Sequence, residues 1–517
     1  MGVKFTPKQQ QVIDLRGANI LVSAAAGSGK TATLTERIVK MVSDEEHPVD
    51  IDRLLVVTFT NAAAAEMRER IGQRIGERLL EHPESEHLQR QATLLHNALI
   101  TTIDSFCLFL VKNHFNEIGL DPAFRVADER EIKLLQQEVL EELIEDAYER
   151  GEASFINCVE ILCHKGGDTV LEEHIRNLSR YAASFPWPEE WLEQRKADYA
   201  VSTPEELSGT DAFSYLMGLA VKELDDCADL LDLALDISRE PGGPNMYIPL
   251  LEEEREKIRE LAQEADWERL RERMEALTFE RLPGKKDPGV EPAKGERAKE
   301  IRDDVKKAVG DLKSLFFDIS PEAAVRQSLA CAQVTNELID LVLDFDRRMK
   351  EKKRERKIID FTDMEHYALE ILLQRDGKET RPSRVAQQYR EFFEEILIDE
   401  YQDSNLVQEY LLKAVSGEEE GHFNRFMVGD VKQSIYRFRL ARPELFLEKY
   451  DSYEEQGERR RIDLSRNFRS RETVVDTVNA VFSGMMSRRI GGIDYDERAA
   501  LYAGASYPEG TGFESEL

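Results

Sequence analysis

A glycine-rich stretch near the amino terminus has the residue types and the spacing that bind phosphate. Residues 23–31 read SAAAGSGKT; they follow the apolar run 19–22 and precede the helical apolar spacing of 31–42. Glycines let backbone N–H groups curl around an anion at a helix N-terminus, and a lysine there reaches the β- and γ-phosphates. A hydroxyl after the lysine holds Mg²⁺.

These features predict a phosphate loop, although the first glycine of the general pattern is Ala24 here. The alternative is a glycine-rich turn that caps an ordinary helix, but the strand–loop–helix context favours the phosphate loop. Thr31 is also a predicted metal ligand. The predicted nucleotide contacts are Ala26, Gly27, Ser28, Gly29, Lys30 and Thr31.

Two carboxylates follow another apolar run, at 396–398. Because ligands bind at the carboxyl ends of the strands in an open α/β sheet, we expect Asp399 to hold Mg²⁺ and Glu400 to polarise an attacking water as general base. An acidic pair after a strand is weak evidence alone, since caps and turns also favour acids. Combined with the phosphate loop, the pair predicts a nucleoside triphosphatase.

Composition limits the class of protein without deciding its partner. Hydrophobic residues make up 41% of the 517 residues, enough for buried cores, and five cysteines are too few for a disulfide scaffold. No apolar run approaches the ~20 residues of a membrane span, so we expect a cytoplasmic protein without membrane contact. The formal net charge of −32 argues against phosphate binding overall, yet residues 425–471 hold 12 basic and 8 acidic side chains. A local nucleic-acid site is therefore not excluded.

Apolar runs alternate with helical patterns towards both ends of the chain. The strand-like runs are 19–22, 54–59, 99–103, 396–398 and 426–428. Such alternation predicts a parallel sheet covered by helices. From about 128 to 355 strand-like runs almost vanish, which predicts an all-helical domain inserted into the α/β domain. The predicted domain boundaries are 1–125, 126–355, 356–464 and 465–517.

Four motifs resemble those of the superfamily 1 helicases of the UvrD/RecB type. The sequence contains, in the family order, TFTNAAA at 58–64, DEYQD at 399–403, GDVKQSIYRFR at 429–439 and LSRNFRS at 464–470. Because of IDFTDM at 359–364 and RLARP at 439–443, the nearest resemblance is to the AddA family of helicase–nuclease subunits. The resemblance implies a RecA-like P-loop NTPase motor domain with a large helical insertion, followed by the start of a second motor domain.

The resemblance also implies roles at the nucleotide. Gln9 would read the adenine, Arg37 would lie against that base, and Phe468 would stack on its other side. Gln433 would sense the γ-phosphate, and Arg469 would act as an arginine finger from the second motor domain. Such a finger typically matters by roughly 10³–10⁵ in rate.

For single-stranded DNA, the resemblance implies two sets of contacts. Base stacking would come from Tyr436 and Phe438, which suits a motor that passes every base, because stacking is worth ~1–3 kcal/mol per base whatever the sequence. The alternative is that both aromatic rings are core side chains at strand spacing. Other contacts would come from Thr60, Asn61, Arg70, Thr102 and Phe106.

The expected function is that of the ATP- and Mg²⁺-dependent 3′→5′ DNA helicase portion of an AddA-like helicase–nuclease, acting in double-strand-break repair and recombination. Its expected partners are single-stranded and duplex DNA and a second, AddB-like subunit. The nuclease domain of this family is expected in the full-length protein, beyond Leu517. Two alternatives stay open: a stand-alone UvrD-type repair helicase, and a nucleotide-binding DNA-assembly subunit without motor activity.

Overall fold

The computed structural model describes residues 4–163, 167–284, 288–377 and 379–507. These residues form two compact units. The first takes the residues up to Val139, Ser179–Pro188 and the residues from Asp346 onward, and the second takes Leu140–Leu178 and Glu189–Phe345. The four domain boundaries given above stay predictions, and residues 508–517 of the last segment lie outside the described residues.

Most strands of the first unit belong to one parallel sheet. In chain order the strands are β1 (Asn19–Ala24), β2 (Leu54–Thr58), β3 (Leu99–Thr102), β4 (Arg125–Val126), β5 (Ile358–Ile359), β6 (Leu373–Asp376), β7 (Glu379–Pro382), β8 (Glu395–Ile398), β9 (Arg425–Gly429), β10 (Arg459–Leu464), β11 (Arg466–Asn467) and β12 (Tyr502–Ala503). The sheet has six strands in the order β10-β1-β9-β8-β2-β3, and every neighbouring pair is parallel. The predicted α/β fold with a parallel sheet is therefore confirmed.

Five of the six sheet strands coincide within two residues with the apolar runs of the sequence, because strands covered on both faces must be apolar on both. The exception is β10, which begins with Arg459, Arg460 and Arg461. It lies at the edge of the sheet, with Ile462 opposite Val22 of β1. Its arginines conceal it from a search for apolar runs.

Helices cover both faces of this sheet. Helices up to the second unit are α1 (Pro7–Asp14), α2 (Lys30–Val42), α3 (Asn61–Glu81), α4 (Glu86–Leu94), α5 (Ile103–His114) and α6 (Glu129–Arg150). Later helices of the first unit are α16 (Phe361–Leu372), α17 (Arg384–Phe392), α18 (Leu406–Ala414), α19 (Pro443–Ser452), α20 (Glu472–Met485) and α21 (Arg488–Gly491). Neighbouring residues of β1 point to opposite faces: Leu21 packs with α5, α16 and α18, whereas Ile20 and Val22 pack with α2 and α3.

All regular structure in the described part of the second unit is helical. The helices there are α7 (Ala153–Leu162), α8 (Asp168–Ala182), α9 (Pro188–Ala197), α10 (Pro204–Ser208), α11 (Asp211–Arg239), α12 (Ile248–Ala262), α13 (Trp267–Ala276), α14 (Pro292–Leu312) and α15 (Pro321–Arg356), the last continuing into the first unit. Its core joins α11, α12, α13 and α14 and includes Leu231, Ile258, Leu270 and Val305. Leu140–Leu178 and Glu189–Phe345 together hold 47 acidic and 24 basic residues, a net −23 of the total −32. Most of the acidic excess therefore lies outside the unit that contains the sheet.

Among the described residues, none of the helices combines the length and the apolar character needed to cross a lipid bilayer.

Candidate functional site

The phosphate loop connects the end of β1 to the start of α2. Gly27 and Gly29 have φ values of 70° and 82°, in the left-handed region that residues other than glycine rarely adopt. Gly29 is the N-cap of α2, so Lys30 is the first helical residue. A Cβ on Gly27 would lie 2.9 Å from the Cβ of Arg469. Backbone conformation and close packing therefore both require glycine at position 27.

Glu400 faces the phosphate loop although it follows β8, far along the chain. Because β8 pairs with β2 and β9 near the middle of the sheet, its carboxyl end lies close to that of β1. Nζ of Lys30 lies 2.9 Å from Oε1 and 2.8 Å from Oε2 of Glu400. The structure therefore brings together two residues that the sequence singled out separately.

Two further carboxylates at this edge are desolvated. Burial raises the pKa of Asp399 to about 6; the neighbouring Glu400 carboxylate adds to that shift and Lys30 opposes it. Burial likewise raises the pKa of Asp403 to about 6, again with a contribution from Glu400. Three acids thus crowd around one lysine, and a positive charge placed among them would relieve their repulsion.

The residues present fit a magnesium–nucleotide complex. Within the described ranges, no cluster of three or more His, Cys, Asp or Glu side chains is arranged to hold a metal by itself. Mg²⁺ is usually bound through one or two carboxylates together with substrate phosphates, which suits Asp399 and the Thr31 hydroxyl beside a phosphate loop. The buried Ser28 Oγ and Asp403 Oδ1 have no hydrogen-bond partner among the described residues, so polar atoms are available for a ligand.

Gln9 links helix α1 to the phosphate loop. Its Nε2 donates to the carbonyl oxygen of Ser28 at 2.9 Å, and its Oε1 accepts from the backbone N–H of Thr6 at 2.9 Å. This second bond belongs to a capping box at the start of α1. Gln9 is therefore adjacent to the loop, with both ends of its amide bonded within the protein; its contact with adenine stays a prediction.

The expectation that Arg37 lies against the adenine is wrong. Arg37 is 0% exposed; its guanidinium makes a bidentate pair with Glu395 of β8, donates to the carbonyl of Val12, and lies over the ring of Phe426. It joins α2 to the sheet as a structural residue. The sequence did not show this because Glu395 is 358 residues away.

The segment Arg466–Arg469 lies directly on the phosphate loop. Nδ2 of Asn467 donates to the carbonyl of Ala26 at 2.9 Å, and the backbone N–H of Phe468 donates to the carbonyl of Gly27 at 2.8 Å. Oδ1 of Asn467 accepts from the backbone N–H of Arg469 at 2.8 Å. Both predicted residues of this segment are therefore near the loop, Phe468 half-buried and Arg469 exposed. Asn467 was not singled out from the sequence, although it lies inside the LSRNFRS motif.

Gln433 and two aromatic residues follow the end of β9. Nε2 of Gln433 donates to Oδ2 of the buried Asp430 at 2.9 Å. The ring of Tyr436 lies 4.6 Å from that of Phe59 and 5.9 Å from that of Phe438, centroid to centroid. The motif at 58–64 and the motif at 429–439 therefore meet in space.

Phe438 is not a core residue. Its side chain is 73% exposed, and residues 437–439 form a short turn of 3₁₀-helix rather than a strand. Tyr436 is half-buried. The guanidinium of Arg439 lies 5.2 Å from the ring of Tyr436 and 5.8 Å from that of Phe438. We call Phe59, Tyr436, Phe438 and Arg439 the aromatic cluster. It presents flat, cationic surface to solvent, as stacking sites for bases do.

The other predicted DNA contacts divide into two groups. Thr60, Asn61 and Arg70 are exposed on α3 and its N-cap, so they are accessible to a ligand. Thr102 and Phe106 are buried, and for them the prediction is wrong. The Thr102 hydroxyl caps α5, and Phe106, which is 0% exposed, packs against Tyr389 and Phe393 of the core.

Comparison with known proteins agrees with this geometry. The family model described as the UvrD/REP helicase N-terminal domain matches residues 5–454. Similar curated proteins, each named as the AddA subunit of an ATP-dependent helicase/nuclease, come from Lachnoclostridium phytofermentans (45% identical over 511 residues, 98% of this chain and 37% of that protein), Clostridium beijerinckii (43% over 511, 98% and 41%) and Bacillus pumilus (42% over 518, 99% and 42%). The chain spans about two fifths of the length of these relatives.

The predicted resemblance to the AddA family is thereby confirmed, since these relatives carry that name and match nearly all of this chain. The matched family model includes the phosphate loop, the DEYQD segment and the aromatic cluster. The chain therefore belongs to the UvrD/REP helicase family.

Proposed function

We propose that this chain is the ATP-driven motor portion of a DNA helicase–nuclease that processes double-strand breaks. The observation that carries the proposal is the meeting of Lys30, Glu400 and the Asn467–Arg469 segment around one phosphate loop, in the same unit as an exposed aromatic cluster. A nucleotide site and a base-stacking site built on one sheet are what a translocating motor needs.

At the nucleotide, the chain's residues would divide the work. Lys30 and the loop N–H groups would bind the β- and γ-phosphates, with Arg469 and Gln433 contacting the γ-phosphate. Thr31 and Asp399 would hold Mg²⁺, which neutralises charge on the phosphates. In the structure Nζ of Lys30 bonds to both carboxylate oxygens of Glu400. Phosphate oxygens compete for that lysine, and this would release Glu400 to orient the attacking water.

At the DNA, Tyr436 and Phe438 would stack on successive bases while Thr60, Asn61 and Arg70 contact the strand. Stacking on aromatic rings does not depend on base identity, so the motor could pass any sequence. Movement in the 3′→5′ direction follows from the family resemblance.

The remaining parts of the proposal concern the whole protein. The relatives are named as one subunit of an ATP-dependent helicase/nuclease, and we infer that this chain works in the cytoplasm with a nuclease domain and with an AddB-like partner. The same names favour this function over a stand-alone UvrD-type helicase or a non-catalytic assembly protein.

Steady-state ATP hydrolysis, measured with and without single-stranded DNA, tests the proposal. We expect DNA to stimulate hydrolysis, and Glu400→Gln to lower turnover by at least about 100-fold while ATP binding persists. Glu391→Gln changes an exposed glutamate just before β8 and is the matched control. Wild-type turnover in the Glu400→Gln variant, or no effect of DNA on the unmodified chain, would refute the motor function.

A further inference from the structure

Gln402 has a buried amide between the predicted general base and the end of strand β9. The residue is 1% exposed. Its Nε2 donates to Oε2 of Glu400 at 2.9 Å and to Oδ2 of Asp403 at 3.1 Å. Its Oε1 accepts from the backbone N–H of Asp430 at 2.9 Å. One side chain therefore bonds to both the acidic segment after β8 and the segment after β9.

A primary amide is the group that this position requires. Two N–H donors face two carboxylates, and one carbonyl oxygen faces a backbone N–H. A glutamate would lack the donors and add a third negative charge, and a leucine would leave the N–H of Asp430 without its acceptor. The side chain of Gln402 is thus specified by chemistry as well as by volume.

Gly429, the last residue of β9, makes room for this amide. A Cβ on Gly429 would lie 2.2 Å from Oε1 of Gln402 and 3.2 Å from its backbone nitrogen. Any side chain at position 429 would therefore displace the Gln402 amide. The close approach offers a second way to disturb Gln402 without changing it.

The bonds continue from Gln402 towards the aromatic cluster. The carboxylate of Asp430 accepts from Nε2 of Gln433 at 2.9 Å and from Nζ of Lys432 at 2.9 Å. Gln433 precedes Tyr436 by three residues in a short segment between β9 and α19. A continuous set of hydrogen bonds therefore joins Glu400, Gln402, Asp430 and Gln433, and ends beside the exposed rings.

We propose that Gln402 is a positioning residue that couples DNA occupancy of the aromatic cluster to the orientation of Glu400. Oε2 of Glu400 is shared between Nζ of Lys30, at 2.8 Å, and Nε2 of Gln402, at 2.9 Å. A shift of the segment after β9 moves the N–H of Asp430 and, with it, the Gln402 amide that holds this oxygen. DNA binding thereby sets how the general base is aimed. This inference rests on the proposed motor function.

The test compares three variants of the whole chain by ATP hydrolysis with and without single-stranded DNA. Gln402→Leu removes the hydrogen bonds at similar volume, and Gly429→Ala displaces the amide. Gln91→Leu is the matched control, because Gln91 is also fully buried and hydrogen-bonded but contacts Asp50 and Ile51 instead. We expect Gln402→Leu and Gly429→Ala to lower the DNA-stimulated kcat at least about tenfold, with KM for ATP changed less than about threefold. The control should keep its DNA stimulation.

Combining Gln402→Leu with Phe438→Ala gives a double-mutant cycle. If the residues act through one network, the double variant will lose little more DNA stimulation than either single variant. Full stimulation in both Gln402→Leu and Gly429→Ala, or additive losses in the cycle, would overturn the coupling role. Absence of DNA stimulation in the unmodified chain would instead refute the motor function itself, and the inference with it.

Discussion

Lys30 and Glu400 are 370 residues apart in the chain, yet Nζ of the lysine lies within 2.9 Å of both carboxylate oxygens of the glutamate. The pair is stable because each charge satisfies the other. A triphosphate must therefore compete with Glu400 for Lys30 before hydrolysis can begin.

The first prediction concerns that lysine. Lys30→Met should weaken ATP binding by about tenfold or more, since a charged hydrogen bond is worth about 1.5–3 kcal/mol. Equilibrium titration with a fluorescent ATP analogue measures this. Lys40→Met, which removes an exposed lysine from the same helix, should leave the affinity within about twofold. Equal affinities for the two variants would contradict the role given to Lys30.

The second prediction concerns Phe438. Because the ring is 73% exposed, Phe438→Ala should leave the free energy of unfolding nearly unchanged. It should weaken binding of single-stranded DNA by about 1–3 kcal/mol, the value of one base stack. Fluorescence anisotropy with a labelled oligonucleotide checks this, with Phe361→Ala, at another exposed phenylalanine, as the control. Unchanged DNA affinity in the Phe438→Ala variant would remove it from the DNA site.

The third prediction separates a structural role of Arg37 from a nucleotide-binding one. Arg37→Leu leaves Glu395 buried without its partner and should lower the free energy of unfolding by about 3–5 kcal/mol. Replacing both residues by leucine should recover part of this loss. Urea unfolding measures the effect, and Arg53→Leu, at a half-exposed ion pair with Glu394, should cost about 1 kcal/mol or less. A loss of ATP affinity without loss of stability would favour adenine contact instead.

The fourth prediction concerns pH. Burial raises the pKa of Glu365 to about 7, with a contribution from Asp104 and opposed by hydrogen bonds from Gln408 and Asn405. The folded state therefore binds this proton more tightly than the unfolded state, whose value is 4.5. The protonated carboxyl favours folding at low pH, and this contribution is lost as the pH rises to about 7.

Glu365→Gln removes that titration and should be more stable than the unmodified chain at pH 8, by about 3 kcal/mol at most. The difference should shrink towards pH 5. Urea unfolding at both values measures it, with Glu370→Gln, on the exposed side of the same helix, as the control. A stability difference that does not depend on pH would show that Glu365 does not titrate as described.

The sequence by itself determined the local elements and the motifs of this protein. Apolar runs located five of the six sheet strands, because buried parallel strands must be apolar on both faces. The SAAAGSGKT stretch predicted a loop whose Gly27 and Gly29 have positive φ, and that conformation is a local property of glycine.

Only the tertiary structure decided which residues meet. Arg37 and Phe106 are on helices with both buried and exposed positions, so their burial depended on partners far away in the chain: Glu395 for the first, Tyr389 and Phe393 for the second. The arginine-rich β10 joined the sheet through its pairing with β1. Spacing along a chain specifies conformation, whereas distance between residues hundreds of positions apart follows from the order in which the strands assemble.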